Sequence, residues 1–380
     1  MRHLVALDLP AGSDFVRSMT ECFDKNEAIS PLDQRLEGRT RDRVLRALRP
    51  TDIIDRFGER RRLEGGEMVE DGDLVVVATS GTTGEPKGVI LSEEAVRASA
   101  FATSASLGVD PESDHWLGSL PLNHVGGLSI ALRAHLTGAP LTLLERFDIE
   151  RIDRALDKGA TLTSLVPTTL ARLGRARQDR FRKILLGGSA MTHEPGNNTV
   201  TTYGMTETGS GVVYNGYPLD GVEIEIREGG EIALRCPMLL RCYRDGTDPR
   251  DSRGFFLTGD LGALDDFGKL RVYGRTSELI ISGGEHIWPA AVEQLLINRP
   301  GVEEIGIVGI EDKEWGQRVV AVVVPEACHA PNIEMLNEIC RSEIGPWAVI
   351  KELHFVGALP KTSIGKIDRG ALSAFVRNTC

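Results

Sequence analysis

A mixed α/β fold, built as a large sheet domain with a small antiparallel region followed by a separate small α+β unit, is predicted by three features of the chain. Short β-rich runs alternate with helix-like segments from Asp73 to about Leu186. Short strands punctuated by turn signals (Glu228-Gly229-Gly230, Asp266-Phe267-Gly268) replace them from Gly221 to Tyr273, and a domain edge follows there. The last hundred or so residues mix the two types again. A length of 380 residues accommodates two or three domains of roughly 150 residues.

In chain order, the first seventy residues say least. Arg35 to Arg49 and Arg56 to Arg62 are Arg-rich and read as solvated helix faces. Strands are expected at Leu74–Ala78, Leu141–Leu144, Thr161–Leu165 and Lys183–Leu186. Ser92 can cap a helix whose first turn carries Glu93 and Glu94, and Asp148 can cap another that stops at Gly159. Further on, a helix begins at Pro289, strands lie near Val302–Ile310 and Arg318–Val324, a helix covers about Asn332–Ser342, and a last helix follows Asp368.

Composition removes several classes of function. With 44 Lys and Arg against 55 Asp and Glu, the net charge of −11 supplies no chain-wide cationic field for nucleic acid or an anionic membrane. The longest apolar runs, such as Leu74–Ala78 and Val319–Val324, fall far short of the ~20 residues that span a bilayer. The opening stretch, broken by Asp8 and Pro10, does not read as a signal peptide, and a cytoplasmic location is expected. Cys22, Cys236, Cys242, Cys328, Cys340 and Cys380 lack the Cys-x-x-Cys spacing of zinc or redox sites and read as reduced thiols.

The strongest local signal is Thr79-Ser80-Gly81-Thr82-Thr83-Gly84-Glu85-Pro86-Lys87-Gly88, directly after an expected strand. Its glycines let backbone N–H groups turn inward as an anion nest, its hydroxyls add donors, and Lys87 adds a compact positive charge. A polyphosphate is the natural ligand. Because Lys87 precedes Gly88 and no Gly-Lys-Ser/Thr opens a helix, the loop is not a Walker A motif.

The order of residues in this loop resembles the phosphate-binding signature of the acyl-adenylate-forming (AMP-binding) enzyme superfamily, and further motifs follow in that family's order over roughly Asp73 to Arg369. Gly187-Gly188-Ser189 is similar to its adenine-side loop. Tyr203-Gly204-Met205-Thr206-Glu207 is similar to its aromatic-Gly-x-Thr-Glu motif, which implies stacking near adenine by Tyr203, α-phosphate contact by Thr206 and Mg²⁺ binding by Glu207. Asp260 resembles the ribose clamp, and Arg275 the arginine that reaches the phosphates.

The resemblance also implies a division into a nucleotide-binding domain, 1–274, with a shortened N-terminal portion, and a mobile lid, 275–380. Ser277 stands where the family has its hinge residue, usually Asp or Lys. Ser282-Gly283-Gly284-Glu285 is similar to the lid loop that lines the thiol tunnel in the second half-reaction. Lys366, in Pro360-Lys361-Thr362-Ser363-Ile364-Gly365-Lys366, occupies the place of the catalytic lysine, and His124 a gating position between acyl pocket and tunnel.

The implied activity is ATP-dependent acid:CoA ligation through an acyl-AMP, with ATP, Mg²⁺ and CoA required and a small carboxylic acid as substrate. The run Gly274 to Ile287 and the block Glu311 to Gly316 are most similar to the family's o-succinylbenzoate:CoA ligase branch, of menaquinone biosynthesis. Another aryl or medium-chain acid:CoA ligase, a carrier-loading adenylating enzyme and a nucleotide-binding pseudoenzyme are the alternatives. Ala190–Thr202 is short for the family, with Pro195-Gly196-Asn197-Asn198 where a helix and strand usually stand. Homodimers are common among similar ligases.

Overall fold

The computed structural model describes residues 1–80, 85–188, 196–327, 329–361 and 366–379. These fall into two compact units. The first comprises residues 1–188, 196–224 and Leu234–Phe256, and the second Glu225–Ala233 and residues 257–379.

The first unit holds two seven-stranded sheets. One runs, edge to edge, Cys242–Tyr243, Pro86–Ser92, Asp73–Ser80, Ala28–Pro31, Leu4–Leu7, Asp52–Ile54 and Arg60–Arg62. The other runs Tyr217–Pro218, Gly211–Tyr214, Thr199–Gly204, Lys183–Leu186, Leu162–Leu165, Trp116–Gly118 and Leu141–Leu143. Its central strands are parallel, so their carboxyl ends open on one edge where ligands bind in such sheets. The helix Val125–Thr137 is buried all along Gly127–Ala134, as a helix enclosed by other layers must be. Val75, Val77, Leu91, Val96, Leu128 and Leu132 meet in one core cluster, which fastens this helix and its neighbour Glu93–Leu107 to the first sheet.

Local capping signals read correctly. The Ser92 hydroxyl accepts from the Ala95 N–H at 3.1 Å, and the Asp148 carboxylate from the Arg151 N–H at 3.0 Å. Two expectations change. Arg60–Arg62 is not a helix face but an exposed edge strand, paired antiparallel with Asp52–Ile54, where three charged side chains blunt the edge against further pairing. The opening seventy residues contribute four strands, of which Leu4–Leu7, Ala28–Pro31 and Asp52–Ile54 are buried at every position. The segment Ala190–Thr202, expected to be short with Pro195-Gly196-Asn197-Asn198 in place of a helix and strand, does reach a strand, Thr199–Gly204, into which Asn197–Asn198 turns; residues 189–195 lie outside the described ones.

The region 221–273 forms the expected small sheet, in the order Glu223–Ile226, Glu231–Arg235, Phe256–Leu264, Leu270–Arg275. In the second unit a further sheet is built on the long antiparallel pair Val302–Asp312 and Gly316–Pro325. Along the edge of Gly316–Pro325 away from Val302–Asp312, the hairpin Ile280–Ser282 and Glu285–Ile287 joins at Gly316 and Glu352–Phe355 pairs parallel with Val320–Val323. Helices Pro289–Leu296 and Ile333–Glu343 cover one face through Val292, Leu296, Leu336 and Cys340, and the last helix, Arg369–Thr379, covers the other through Leu372 and Val376. No described helix is long and apolar enough to cross a membrane, and no disulfide joins the described cysteines.

Candidate functional site

In the first unit the two ends of the phosphate-loop motif lie on antiparallel strands, with Thr79 opposite Lys87 and Ser80 opposite Pro86. Residues directly opposite each other share a face, so the Thr79 hydroxyl and the Lys87 ammonium flank the same loop from its two stems. Gly81, Thr82, Thr83 and Gly84 lie outside the described residues. At the second stem, the Arg43 guanidinium from helix Gly38–Leu48 holds Glu85 at 2.8 Å.

The neighbouring strand places Tyr243 opposite Val89, two residues from Lys87, and the Lys87 ammonium lies 5.1 Å above the Tyr243 ring. The hydroxyl at the other end of that ring donates to Glu207 Oε1 at 3.0 Å. One tyrosine therefore touches both a cation suited to phosphate and a carboxylate suited to a hard metal ion.

Glu207 sits in the single 3₁₀ turn Thr206–Thr208, entered from the strand Thr199–Gly204. Thr208 closes this turn by accepting from the Met205 N–H at 2.9 Å and donating to the Ser210 carbonyl at 2.7 Å. Gly204 is needed because a Cβ there would stand 2.2 Å from the Ser210 carbonyl oxygen. Tyr203, just before it, pairs with Val213 and marks an irregularity that ends the ladder. Gly187 and Gly188 follow the parallel strand Lys183–Leu186 at the same carboxyl edge, whereas Ser189 lies outside the described residues.

Among the described residues no three acidic, His or Cys side chains converge on a common point. Glu207 fits Mg²⁺ as one carboxylate ligand, which leaves the remaining positions to phosphate oxygens and water, the usual Mg²⁺ arrangement in nucleotide sites. His124 stands at the N-terminus of helix Val125–Thr137, where its carbonyl accepts from the Gly127 and Leu128 N–H groups.

Two predicted ligands of the second unit prove to be partners of each other. Asp260 and Arg275 are opposite residues of an antiparallel pair, and Arg275 Nε lies 2.9 Å from Asp260 Oδ1. Asp260 is buried, and its own N–H donates to the Thr258 hydroxyl. Lys366 feels this pair. Crowding by protein atoms lowers its pKa below the ordinary lysine value although the residue as a whole is exposed, and the Arg275 charge adds to the effect against the pull of Asp260 and Glu278.

Ser277 is exposed in the single 3₁₀ turn Thr276–Glu278, between the Asp260–Arg275 pair and a Glu278–Arg369 pair at 2.9 Å. The lid-loop motif is a tight two-residue hairpin, Ser282 opposite Glu285, with φ of 61° at Gly283 and 86° at Gly284. Positive φ at both central residues is the type I′ geometry that matches strand twist and that glycine adopts without strain. The Trp315 carbonyl accepts the Gly283 N–H at 2.8 Å, and a Cβ on Gly283 would come within 3.1 Å of the Trp315 ring.

Tyr243 escaped sequence reasoning because its strand has two residues and its partners are distant in sequence. Arg133 did as well. It is buried, lies 5.3 Å above the Trp116 ring, and donates to the Ser129 and Ser210 hydroxyls, the latter in the turn that follows Glu207.

The chain belongs to the AMP-binding enzyme family. Residues 33–244 match the AMP-binding enzyme profile, and residues 291–366 match that of the AMP-binding enzyme C-terminal domain. Within it, the chain is 38% identical over 333 residues to a probable 2-succinylbenzoate–CoA ligase of Mycobacterium tuberculosis, covering 82% of this chain and 86% of that one. It is 36% identical over 342 residues to the 2-succinylbenzoate–CoA ligase of Listeria monocytogenes, covering 80% and 72%. Among solved structures it is similar to o-succinylbenzoate CoA synthetase (MenE) of Bacillus subtilis in complex with the acyl-adenylate intermediate OSB-AMP. The TM-score is 0.84 and the identity 28%, over 97% of this chain and 88% of that one. The same B. subtilis enzyme has been solved with ATP and a magnesium ion, and aligns with a TM-score of 0.82 at 28% identity, over 97% and 89%.

Proposed function

We propose that this chain is an ATP-dependent ligase that converts o-succinylbenzoate to o-succinylbenzoyl-CoA through an acyl-AMP intermediate, in the menaquinone pathway and in the cytoplasm. The observation that carries the reading is the 38% identity, across four-fifths of the chain, to a relative described as a ligase of that acid.

In the first half-reaction a carboxylate oxygen of the acid attacks the α-phosphorus of ATP, and the bond to pyrophosphate breaks. The loop from Thr79 to Gly84 and Lys87 would hold the outer phosphates with backbone and hydroxyl donors and one ammonium. Thr206 would donate to the α-phosphate, Tyr203 with Met205 and the Gly187-Gly188-Ser189 loop would border the adenine, and Gly204 would keep their turn tight. Glu207 would bind Mg²⁺ together with phosphate oxygens, and the ion supplies neutralisation of the charge that departs with pyrophosphate.

In the second unit Asp260 would accept from the ribose hydroxyls, with Arg275 beside it for the phosphates. The Lys366 ammonium would stabilise the charge that develops between attacking carboxylate and α-phosphate. A lowered Lys366 pKa is compatible with this, because less hydration is lost when the lysine engages an anion.

In the second half-reaction the CoA thiol adds to the acyl carbonyl and AMP leaves. We assign the Ser282–Glu285 hairpin to the pantetheine side, Ser277 to the backbone rotation that exchanges this hairpin for Lys366, and His124 to control of the acyl entrance. A homodimer is the assembly to test by light scattering.

Lys366→Ala separates an enzyme from a nucleotide binder. Acyl-AMP formation is expected to fall by about two orders of magnitude or more while ATP still binds. Adenylation at the wild-type rate would refute the assignment.

A further inference from the structure

We infer that Arg244 is a positioning residue for the phosphate end of the site: its guanidinium, buried against the end of helix Gly38–Leu48, fixes the strand Cys242–Tyr243 and, through Tyr243, the places of Lys87 and Glu207. The inference rests on the phosphate and Mg²⁺ roles proposed for those two residues. It gives the opening seventy residues a part in nucleotide binding.

Two residues are fewer than a strand ordinarily needs to hold its register, and Cys242–Tyr243 is held at both ends by arginines. On one side the Arg241 N–H donates to the Ile90 carbonyl at 2.9 Å, and its guanidinium forks onto the buried Asp73 with Nε and Nη2 both at 2.8 Å. On the other side the Arg244 N–H donates to the carbonyl of Gly88, the residue after Lys87, at 2.7 Å. The approach is so close that a Cβ on Gly88 would stand 2.8 Å from the Arg244 Cβ.

Arg244 is buried, and the acceptors of its side chain are backbone carbonyls. Its Nε donates to Leu48 at 2.8 Å, Nη1 to Met68 at 3.1 Å, and Nη2 to Arg49 at 3.3 Å and to Glu67. Leu48 ends helix Gly38–Leu48, and Arg49 caps it in the left-handed region with φ of 49°. The last carbonyls of a helix lack partners within it, and a cation there also meets the negative end of the helix dipole. Arg49 returns the contact, since its Nη2 donates to the Arg244 carbonyl at 2.5 Å while Nη1 pairs with Glu67 at 3.0 Å. Each arginine thus holds the other's main chain, and helix end, Glu67–Met68 and strand are tied at one point.

What this brace delivers is the tyrosine that precedes it. The Lys87 ammonium lies 5.1 Å from the centre of the Tyr243 ring, and the Tyr243 hydroxyl donates to Glu207 Oε1 at 3.0 Å. The same segment holds the main chain of Glu207, whose carbonyl accepts the Leu240 N–H at 2.7 Å. Because the phenol is rigid, a shift of the strand end moves both contacts together. Lysine at 244 keeps a charge at the helix end, but a point charge on a flexible stem cannot reach four carbonyls at once.

The test uses the full chain. ATP is titrated calorimetrically with Mg²⁺ and with the metal removed, and thioesterification is followed from preformed o-succinylbenzoyl-AMP and CoA. In Arg244→Lys the Kd for Mg·ATP is expected to rise roughly 10-fold, and metal-free ATP to bind about 3-fold more weakly because Lys87 moves with the ring. Thioesterification should stay within about 3-fold, since the acyl-adenylate lacks the outer phosphates assigned to Lys87. When Tyr243→Phe is added, the Kd for Mg·ATP should stay within about 2-fold of the larger single effect, because residues that act through one another do not add.

Wild-type Mg·ATP affinity in Arg244→Lys, additive losses on combination with Tyr243→Phe, or an equal loss of thioesterification overturns the inference. Should Arg244→Lys not fold, Arg49→Gln decides: removing the return contact should raise the Kd for Mg·ATP about 3-fold, and wild-type affinity overturns the inference. A wild-type protein that binds ATP without regard to Mg²⁺ or to Lys87→Ala lacks the underlying roles, and the inference falls with them. A wild-type protein that makes no thioester refutes the proposed function instead, while the titrations still judge Arg244.

Discussion

Tyr243 illustrates what a single side chain can organise. Its hydroxyl donates to Glu207, and its ring carries the Lys87 ammonium, so a carboxylate and a cation, proposed above for Mg²⁺ and phosphate, are spaced by one rigid phenol. Tyr243→Phe retains the ring and deletes the hydrogen bond. Groups that orient a metal-binding carboxylate change metal affinity by roughly 10-fold or more, so the Mg²⁺ concentration needed for half-maximal ATP binding should rise by about that factor, with the metal-free nucleotide affinity unchanged. Calorimetric titration at several Mg²⁺ concentrations measures both.

Asp114 makes a stability prediction at the same scale. Burial alone would raise its carboxyl. The Arg182 fork, with Nη2 at 2.5 Å and Nε at 2.8 Å, outweighs this together with the Asp110 N–H and the Thr161 hydroxyl, and holds it below the usual carboxylate range. A group with a lowered folded pKa contributes stability that is present above its unfolded pKa, near ~4, and lost as pH falls through the folded value. Asp114→Asn should cost about 2 kcal/mol at pH 7, and denaturant melts should show the difference shrinking below about pH 4. A pH-independent difference would contradict this account.

At the scale of elements, the Gly283–Gly284 turn is the piece whose shape is most constrained. A valine at 283 meets a positive φ that branched residues resist by roughly 1–3 kcal/mol, and a Cβ against Trp315. Gly283→Val should therefore reshape the hairpin while the paired strands Val302–Asp312 and Gly316–Pro325 keep the unit folded. Thioesterification is expected to drop about 10-fold or more with adenylation within about 2-fold; parallel losses would remove the hairpin from the second half-reaction.

Elements set by short-range chemistry were legible from sequence. Ser92 and Asp148 each cap the helix that their residue type announces, because a cap acts within three residues of itself. Register with distant strands carries no such local mark. Leu4–Leu7 and Asp52–Ile54 are three or four residues long and become strands through parallel pairing across about fifty residues, and Arg60–Arg62 becomes one because its neighbour needs a partner. The site divides the same way. Glu207, Lys87, Asp260 and Lys366 stand in contiguous motifs, whereas Tyr243 acquires meaning only through a pairing that brings far segments together.

For the whole molecule, the two family profiles match in the order expected from the motifs, and each compact unit carries its own portion of the chemistry. The phosphate hairpin, Glu207 and the strand-edge glycines belong to the first. Asp260, Arg275, Lys366 and the glycine hairpin belong to the second. With a net charge of −11 the chain as a whole does not attract anions, so the proposed reading depends on local cations, Lys87 in the first unit and Arg275 and Lys366 in the second.

The central claim is that these parts perform two coupled half-reactions on one particular acid. It is tested most directly by mass spectrometry of the products formed when the purified protein is given Mg·ATP, CoA and o-succinylbenzoate, with benzoate and octanoate in parallel. The account predicts o-succinylbenzoyl-CoA and AMP in equal amounts, with turnover at least about 100-fold above either control acid. A thioester formed preferentially from benzoate or octanoate would contradict the substrate, and the absence of AMP with every acid would contradict the enzyme.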